Sequence, residues 1–425
     1  MTALLITFLI LLIIGMPVAL TVGISALAYF IVEEVPLQIL VQKLVSSTQS
    51  FSLLAVPFFI LAGNLMNETG ITSRLIKFCV LATGHMRGGL AQVSVLLSCM
   101  MGGISGSATA DAAMESRILG PDMEKRGYSK GFTAGILAMG GLITATIPPS
   151  LGLIMFGVTG EVSIGRLFMA GIVPGVLMTL FLMFAVDRIS KKRGYKPEHD
   201  KAPTLGELGR GLLDNIWALL FPVILIVGIR FGIFTPSEAG AFAVVYALFV
   251  GVVIYRELTF NKLMECLRAT AIDLAVIMFI ICCSNAFGYA IVTGRLPQAL
   301  AVAITQLSQN KYIVLGIVMI FVFFCGMFME ATANVLLLTP IFLPIVTSVG
   351  IDPVHFGIMF VILNTMGGMT PPIGVTMFTT CSILDCPIDV YTKESIPFIV
   401  AIVVLLVLMA FIPDIILFLP NLVFG

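Results

Sequence analysis

The sequence predicts an all-α polytopic membrane protein made of two inverted repeats, each with a re-entrant helical hairpin and a broken transmembrane helix. Three observations predict it. First, 59% of the 425 residues are hydrophobic and only 11% are charged, against about 25% charged in soluble domains. Second, the chain repeats at one fixed offset. Gly103, Ala108-Thr109-Ala110, Asp111, Pro121 and Pro148-Pro149 return 223 positions later as Gly326, Ala331-Thr332-Ala333, Asn334, Pro344 and Pro371-Pro372. Several matches at one offset mark an internal duplication. Third, the copies differ in basic bias. Arg87, Arg117, Lys125, Arg126 and Lys130 surround the first hairpin base, whereas 343–355 contains no Lys or Arg. Because short cytoplasmic loops collect Lys and Arg, the two bases lie on opposite sides.

Taken in order, residues 1–187 form repeat 1. A span needs about 20 apolar residues, and 3–31 satisfies this as one retained scaffold helix, broken only by Gly15-Met16-Pro17. The apolar run passes straight through the small residues Ala26-Leu27-Ala28, so no secretory cleavage site follows it. Residues 33–50 are amphipathic, with Leu37, Leu40, Val41 and Leu44 on one face, and form an interfacial arm. A span covers 51–68. The hairpin, 88–121, has half-length arms around the tip Gly102-Gly103-Ile104-Ser105-Gly106-Ser107-Ala108-Thr109-Ala110-Asp111. Irregular backbone at membrane depth is tolerated only inside protein or against a water-filled cavity. Residues 131–157 are a helix broken at Thr144–Ser150, where Pro148 and Pro149 each remove a backbone donor. A further span runs over 164–187.

Residues 188–235 are a loop and a linker helix. Arg188, Lys191, Lys192, Arg193, Lys196, Lys201 and Arg210 place the loop in the cytoplasm. Residues 236–425 repeat the plan: a span at 237–255, an arm at 258–273, a span at 274–292, a hairpin at 312–345, a broken helix at 356–380 and a last span at 395–420. The three His and eight Cys residues show no metal-ligand spacing. The zero net charge argues against nucleic acid as a partner.

Paired hairpins and broken helices in inverted repeats point to a secondary transporter. Sodium needs several hard oxygens, which unwound backbone and Ser, Thr, Asn and Asp side chains supply. Each tip is expected to meet its break near the midplane. Ser105, Ser107, Thr109, Asp111, Thr144, Thr146 and Pro148, with the carbonyls ahead of Pro148, make up a first sodium site. Glu330, Thr332, Asn334, Thr365, Gly367, Met369 and Thr370 make up a second, beside Asn364. Helix packing by small residues accounts for the glycines and alanines. It does not account for Asp111 or Glu330, since an ionisable group at membrane depth is a functional signal. Glu330 has a structural reading too, as the partner of a backbone donor. Carboxylate recognition by backbone donors at helix ends leaves no side-chain signature. Ser107, Ala108, Pro149, Thr332, Ala333 and Pro372 are the residues placed to contact a substrate.

Val56-Pro57-Phe58-Phe59-Ile60-Leu61-Ala62-Gly63-Asn64-Leu65-Met66, the two tips, Ile147-Pro148-Pro149-Ser150, Gly232-Ile233-Phe234-Thr235-Pro236-Ser237-Glu238-Ala239 and Thr370-Pro371-Pro372-Ile373-Gly374 resemble the large membrane subunit of tripartite ATP-independent periplasmic (TRAP) transporters over nearly the whole chain. That resemblance implies an elevator-type fold of the ion-transporter kind and sodium (Na+) as the coupling ion. It implies import of a small organic acid, of sialic acid or C4-dicarboxylate type, across the bacterial inner membrane. It also implies two protein partners: a small four-helix membrane subunit and a periplasmic substrate-binding protein. Two rival readings are a self-sufficient ion or carboxylate permease and a membrane-embedded enzyme. Asp111 with Glu330 is the only pair that could serve the enzyme, and its setting among glycines suits ion binding better.

Overall fold

The computed structural model describes residues 1–49, 51–199, 201–308 and 310–425. Among them every regular element is helical. Six helices are long and apolar enough to cross a membrane, or seven if one bent pair counts as a single span.

The amino-terminal run departs from the single span expected over 3–31. It is two helices, α1 (Thr2–Ile13) and α2 (Val18–Val32), packed against each other. Gly15 takes the left-handed conformation (φ +82°), and Gly15 N and Met16 N donate to Leu12 O and Leu11 O at 3.1 Å each. A glycine in this conformation ends a helix, and Pro17 prevents its resumption in register. The Met1 ammonium pairs with Glu33, so the run returns to the side from which it started. In the sequence the unbroken apolarity hid the turn.

Next come α3 (Leu37–Ser46), two 3₁₀ turns over 47–49 and 51–54, and α4 (Ala55–Glu68). Then follow α5 (Ile71–Thr83), α6 (Gly89–Gly102), α7 (Ala108–Ile118), α8 (Gly120–Lys125), α9 (Lys130–Thr144), α10 (Leu151–Thr159) and α11 (Ile164–Arg193). The linker is α12 (Leu205–Asp214) and α13 (Ile216–Arg230), bent by 74°. Repeat 2 opens with α14 (Pro236–Phe249) and a π-helical turn. It continues with α15 (Phe260–Thr293), α16 (Leu296–Leu307), α17 (Lys311–Phe328), α18 (Ala331–Ser348), α19 (Pro353–Gly367) and α20 (Val375–Ile383). It closes with α21 (Ile388–Phe411) and α22 (Asp414–Phe424).

Helices α9 and α19 start and stop at positions 223 apart, and each prolyl pair holds a cis peptide. Helix α7 packs on α9 of its own copy and on α20 of the other, while α18 packs on α19 and on α10. The copies therefore exchange partners symmetrically. They are also inverted. Helix α4 aligns with the end of α15 at the same offset, yet the two run antiparallel: Lys262 at the start of α15 reaches Glu68 at the end of α4 (Nζ to O, 3.3 Å), and Asn64 Nδ2 donates to Thr270 Oγ1 at 3.0 Å.

Three further boundaries differ from expectation. The arm at 258–273 and the span at 274–292 are one continuous 34-residue helix, α15, because no Gly, Pro or cap interrupts it at their junction. The last span, expected over 395–420, begins at Ile388 and ends at Phe411 before Pro413. The arms of the second hairpin are 18 residues each, against 14 and 11 in the first. The loop after α11, read from sequence for sidedness alone, straps the first hairpin base. Glu198 N donates to Gly84 O at 2.7 Å, and its carboxylate pairs with Arg126. These groups, with the Arg193–Glu394 pair, mark the basic side of the molecule.

Candidate functional site

Both tips and both breaks meet around one cavity of about 70 Å³. The chain reaches it because Gly106 (φ +61°) turns the first tip so tightly that a Cβ there would stand 2.5 Å from Pro149 O. Four helices start at its wall: α7, α10, α18 and α20. Each N-terminus carries about half a positive charge from its aligned peptide dipoles. The tips occupy equivalent positions in the two copies, and both begin with a capping residue. Ser107 Oγ accepts from Ala110 N at 3.5 Å. Glu330 carboxylate oxygens accept from Thr332 N at 2.8 Å and Ala333 N at 3.1 Å. Thr109 and Thr376 join first tip to second break through a 2.8 Å hydroxyl contact.

The first sodium set comes together in part. Asp111 is buried in the first turn of α7, and its Oδ2 accepts from Thr144 Oγ1 at 2.5 Å. Asp111 Oδ1 and Ser105 Oγ are buried, and the tip thus carries two oxygens that have no hydrogen-bond partner among the described residues. Ser107 and Thr109 line the cavity. Thr146 and Pro148 do not join them. Thr146 Oγ1 donates back to Leu142 O at 2.9 Å, and its carbonyl abuts Gly171. Pro148 faces Phe168 and Leu225. The carbonyl aimed at the tip is that of Pro149.

The second set is more dispersed. Thr332 and Thr365 line the cavity. Asn334 Nδ2 donates to Asn364 Oδ1 at 2.9 Å, leaving Asn334 Oδ1 buried and unpartnered. Gly367 O takes the Thr370 hydroxyl at 2.8 Å, and Met369 O takes Tyr391 Oη at 2.8 Å. Those three residues are engaged away from the cavity. Glu330 is the cap of α18, the structural role read beside the functional one. Among the substrate residues, Ser107, Ala108 and Thr332 line the cavity. Ala333 faces a neighbouring cavity. Pro372 is exposed and lines neither.

Sequence reading passed over Glu115. It lies one turn after Asp111 on α7, fully buried, with Ser98 Oγ donating to Oε1 at 2.8 Å and Oε2 unpartnered. Its i, i+4 spacing from Asp111 was the signal available. Thr376 was passed over too, although it begins the helix after a prolyl break.

The tip residues Ser107, Thr109, Glu330 and Thr332 also line a cavity of about 680 Å³. Its far wall includes Asn64, Asn67 and Asp273 from the basic-side parts of α4 and α15. A third cavity, of about 490 Å³, lies on the opposite side and contains no tip residue. The site therefore opens toward the basic side.

Comparison with known proteins follows the same lines. The family model for the DctM component of tripartite ATP-independent periplasmic transporters matches residues 5–415. A putative TRAP transporter large permease protein of Haemophilus influenzae is 41% identical over 406 residues, 95% of each chain. The 2,3-diketo-L-gulonate TRAP transporter large permease protein of Escherichia coli is 39% identical over 405 residues, again 95% of each. The sialic acid TRAP transporter large permease protein of Vibrio cholerae is 37% identical, covering 97% of this chain and 96% of that one. Among solved structures, the Alcanivorax borkumensis YdaH transporter superposes with a TM-score of 0.64 at 14% identity, over 89% of this chain and 90% of that one. At that identity the likeness concerns the fold alone.

Proposed function

This chain belongs to the DctM-component family of tripartite ATP-independent periplasmic transporters, and from that premise we propose that it imports a small organic acid, coupled to sodium, by an elevator movement in the bacterial inner membrane. It is a transporter subunit and not an enzyme. The observation that carries the proposal is the meeting of four helix N-termini at one cavity, beside a buried carboxylate with an oxygen to spare.

The chemistry divides between the two charges. Around the first tip, Asp111 Oδ1 and Ser105 Oγ, with Thr144, offer a hard cation the oxygens it needs. Asn334 Oδ1 and Thr365 are the corresponding offer of the second copy. Sodium bound at Asp111 would cancel the negative charge nearest the tip. The N–H groups at the starts of α7 and α10 then remain for a carboxylate. Ser107, Ala108 and Thr109 line the place where it would sit. Cation and anion thus share one tip, so occupancy by one favours the other, which is the requirement of symport. The two hairpins and two broken helices are the moving body, and α4 and α15 belong to the support.

The substrate is an organic acid. Sialic acid is the first compound to try, given the Vibrio relative at 37% identity. Two partners complete the transporter, a small four-helix membrane subunit and a periplasmic substrate-binding protein. The tripartite character of the family supports both. The test is reconstitution of the chain with neither, either and both partners, followed by counterflow of labelled sialic acid, 2,3-diketo-L-gulonate and C4-dicarboxylates. Sodium-dependent uptake only with both partners is expected. Uptake at the full rate by the chain alone would replace the tripartite reading with a self-sufficient permease.

A further inference from the structure

The cavity on the side opposite the site's opening is polar without serving the tips. Its lining includes Lys43 of α3 and Ser284, Asn285, Gly288 and Tyr289 of α15. Ser284 Oγ is buried and has no hydrogen-bond partner among the described residues, and a Cβ on Gly288 would meet nothing within 4 Å. Lys43 Nζ lies 5.2 Å from the centroid of the Tyr289 ring and makes no ion pair among the described residues. At about 490 Å³, the space is in the range of small-molecule sites.

The two larger cavities lie along one stripe of α15. Asp273, Val276, Ile277 and Ile280 wall the cavity that holds the tips, and Ser284, Asn285, Gly288 and Tyr289 wall the other. The residues follow i, i+3/i+4 spacing, so they share a face. From Asp273 to Ser284 the helix climbs about 16 Å. The charges differ between the two ends. The inner cavity has Asp273 and Glu330 and no basic residue in its wall. The outer one has Lys43, offset in this state by Glu161 of the α10–α11 turn. Of the two walls, only the outer one therefore offers a positive side chain to an organic anion.

We infer that Lys43, Ser284, Asn285 and Tyr289 form an outer binding site for an organic carboxylate, which receives the acid before the hairpin tips do. This rests on the elevator reading for the handover, in which Glu161 travels with the tips while Lys43 stays on the support. It does not rest on that reading for the site itself. Lys43 supplies a charge-assisted contact to the carboxylate, and Ser284 and Asn285 supply neutral hydrogen bonds.

The test needs no known substrate. Asn285→Cys in the complete transporter is labelled from outside with two methanethiosulfonates, one bearing an anionic sulfonate and one a cationic trimethylammonium. Rates are taken as the increment over the unsubstituted chain. The anionic reagent is expected to be favoured, and Lys43→Gln should lower the anion-to-cation rate ratio about tenfold, the scale of one hydrogen bond to a charged group. Lys43→Arg should restore it. Asn67→Cys in the inner cavity, labelled from the cytoplasmic side, should show no change in its ratio with Lys43→Gln. A ratio at position 285 unmoved by Lys43→Gln, or one moved equally at position 67, overturns the proposal. A second measurement is uptake of labelled sialic acid. Gly288→Phe should fill the cavity without unfolding the chain and cut uptake at least tenfold, and normal uptake by this variant would also overturn it. Absence of uptake in the unsubstituted complex would instead count against sialic acid as the substrate, and the labelling ratios would still decide the outer site.

Discussion

Asp111 and Glu115 are one helical turn apart on α7, both buried, and each leaves one carboxylate oxygen without a partner. Their roles separate by what touches them. Asp111 is at the tip, against Thr144, and Glu115 is a turn deeper, against Ser98. Asp111→Asn should raise the sodium concentration for half-maximal uptake at least tenfold, because a ligand charge is lost while the Thr144 contact is kept. An unchanged half-saturation value removes Asp111 from the site. Glu115→Ala should destabilise the folded chain by about 1–3 kcal/mol, since Ser98 loses its acceptor, and Glu115→Gln should restore most of it. Thermal melts of the purified protein in detergent check both. The sequence allows Glu330 to be a sodium ligand or the partner of a backbone donor, and its oxygens accept backbone donors of α18. Glu330→Gln should therefore leave sodium half-saturation within about twofold of the parent. The sequence could not separate these carboxylates. A motif names a carboxylate, but its neighbours in space decide whether it meets an ion or caps a helix.

At the scale of elements, the hairpins seat against the broken helices through glycine. A Cβ at Gly141 would stand 2.5 Å from Ala108 O, and one at Gly367 would stand 2.6 Å from Gly326 C. Both obstacles are backbone, which cannot rotate aside. Gly141→Ala and Gly367→Ala should each cost about 1–3 kcal/mol, the scale of overpacking in a filled core, and lower the detergent melting midpoint. If either variant melts with the parent, the seating is looser than described. Inversion has its own check. Lys125 and Ser348 are equivalent positions 223 apart, at opposite hairpin bases. With an impermeant thiol reagent, Lys125→Cys should react only from the cytoplasm and Ser348→Cys only from outside. Labelling from one side for both would refute the inversion. Repeats, breaks and hairpins were legible because Gly, Pro and polar residues interrupt apolar runs at matched positions. The α1–α2 turn was not, because Gly15 and Pro17 sit in a run apolar enough to cross as one helix. The fusion of arm and span into α15 was hidden for the opposite reason: a change from amphipathic to apolar character requires no break in the backbone.

For the whole molecule, two features set what it can do: where its cavities open and how its halves differ. The tips open toward the basic side, and a polar cavity waits on the other. Composition gave the class and the repeat gave the architecture, but the cavities arise from packing between helices distant in sequence and had no local signal. The halves are not equally built. In repeat 2 the arm and the span after it are a single 34-residue helix, whereas their counterpart in repeat 1 is α3 and α4 separated by two short 3₁₀ turns. One limb is a beam and the other is jointed. A beam passes a push from one end to the other almost undiminished, and a joint spends it on bending. Two halves that began as copies are therefore not mechanically equivalent. The duplication has left two halves that match in the order of their elements and differ in where those elements are continuous.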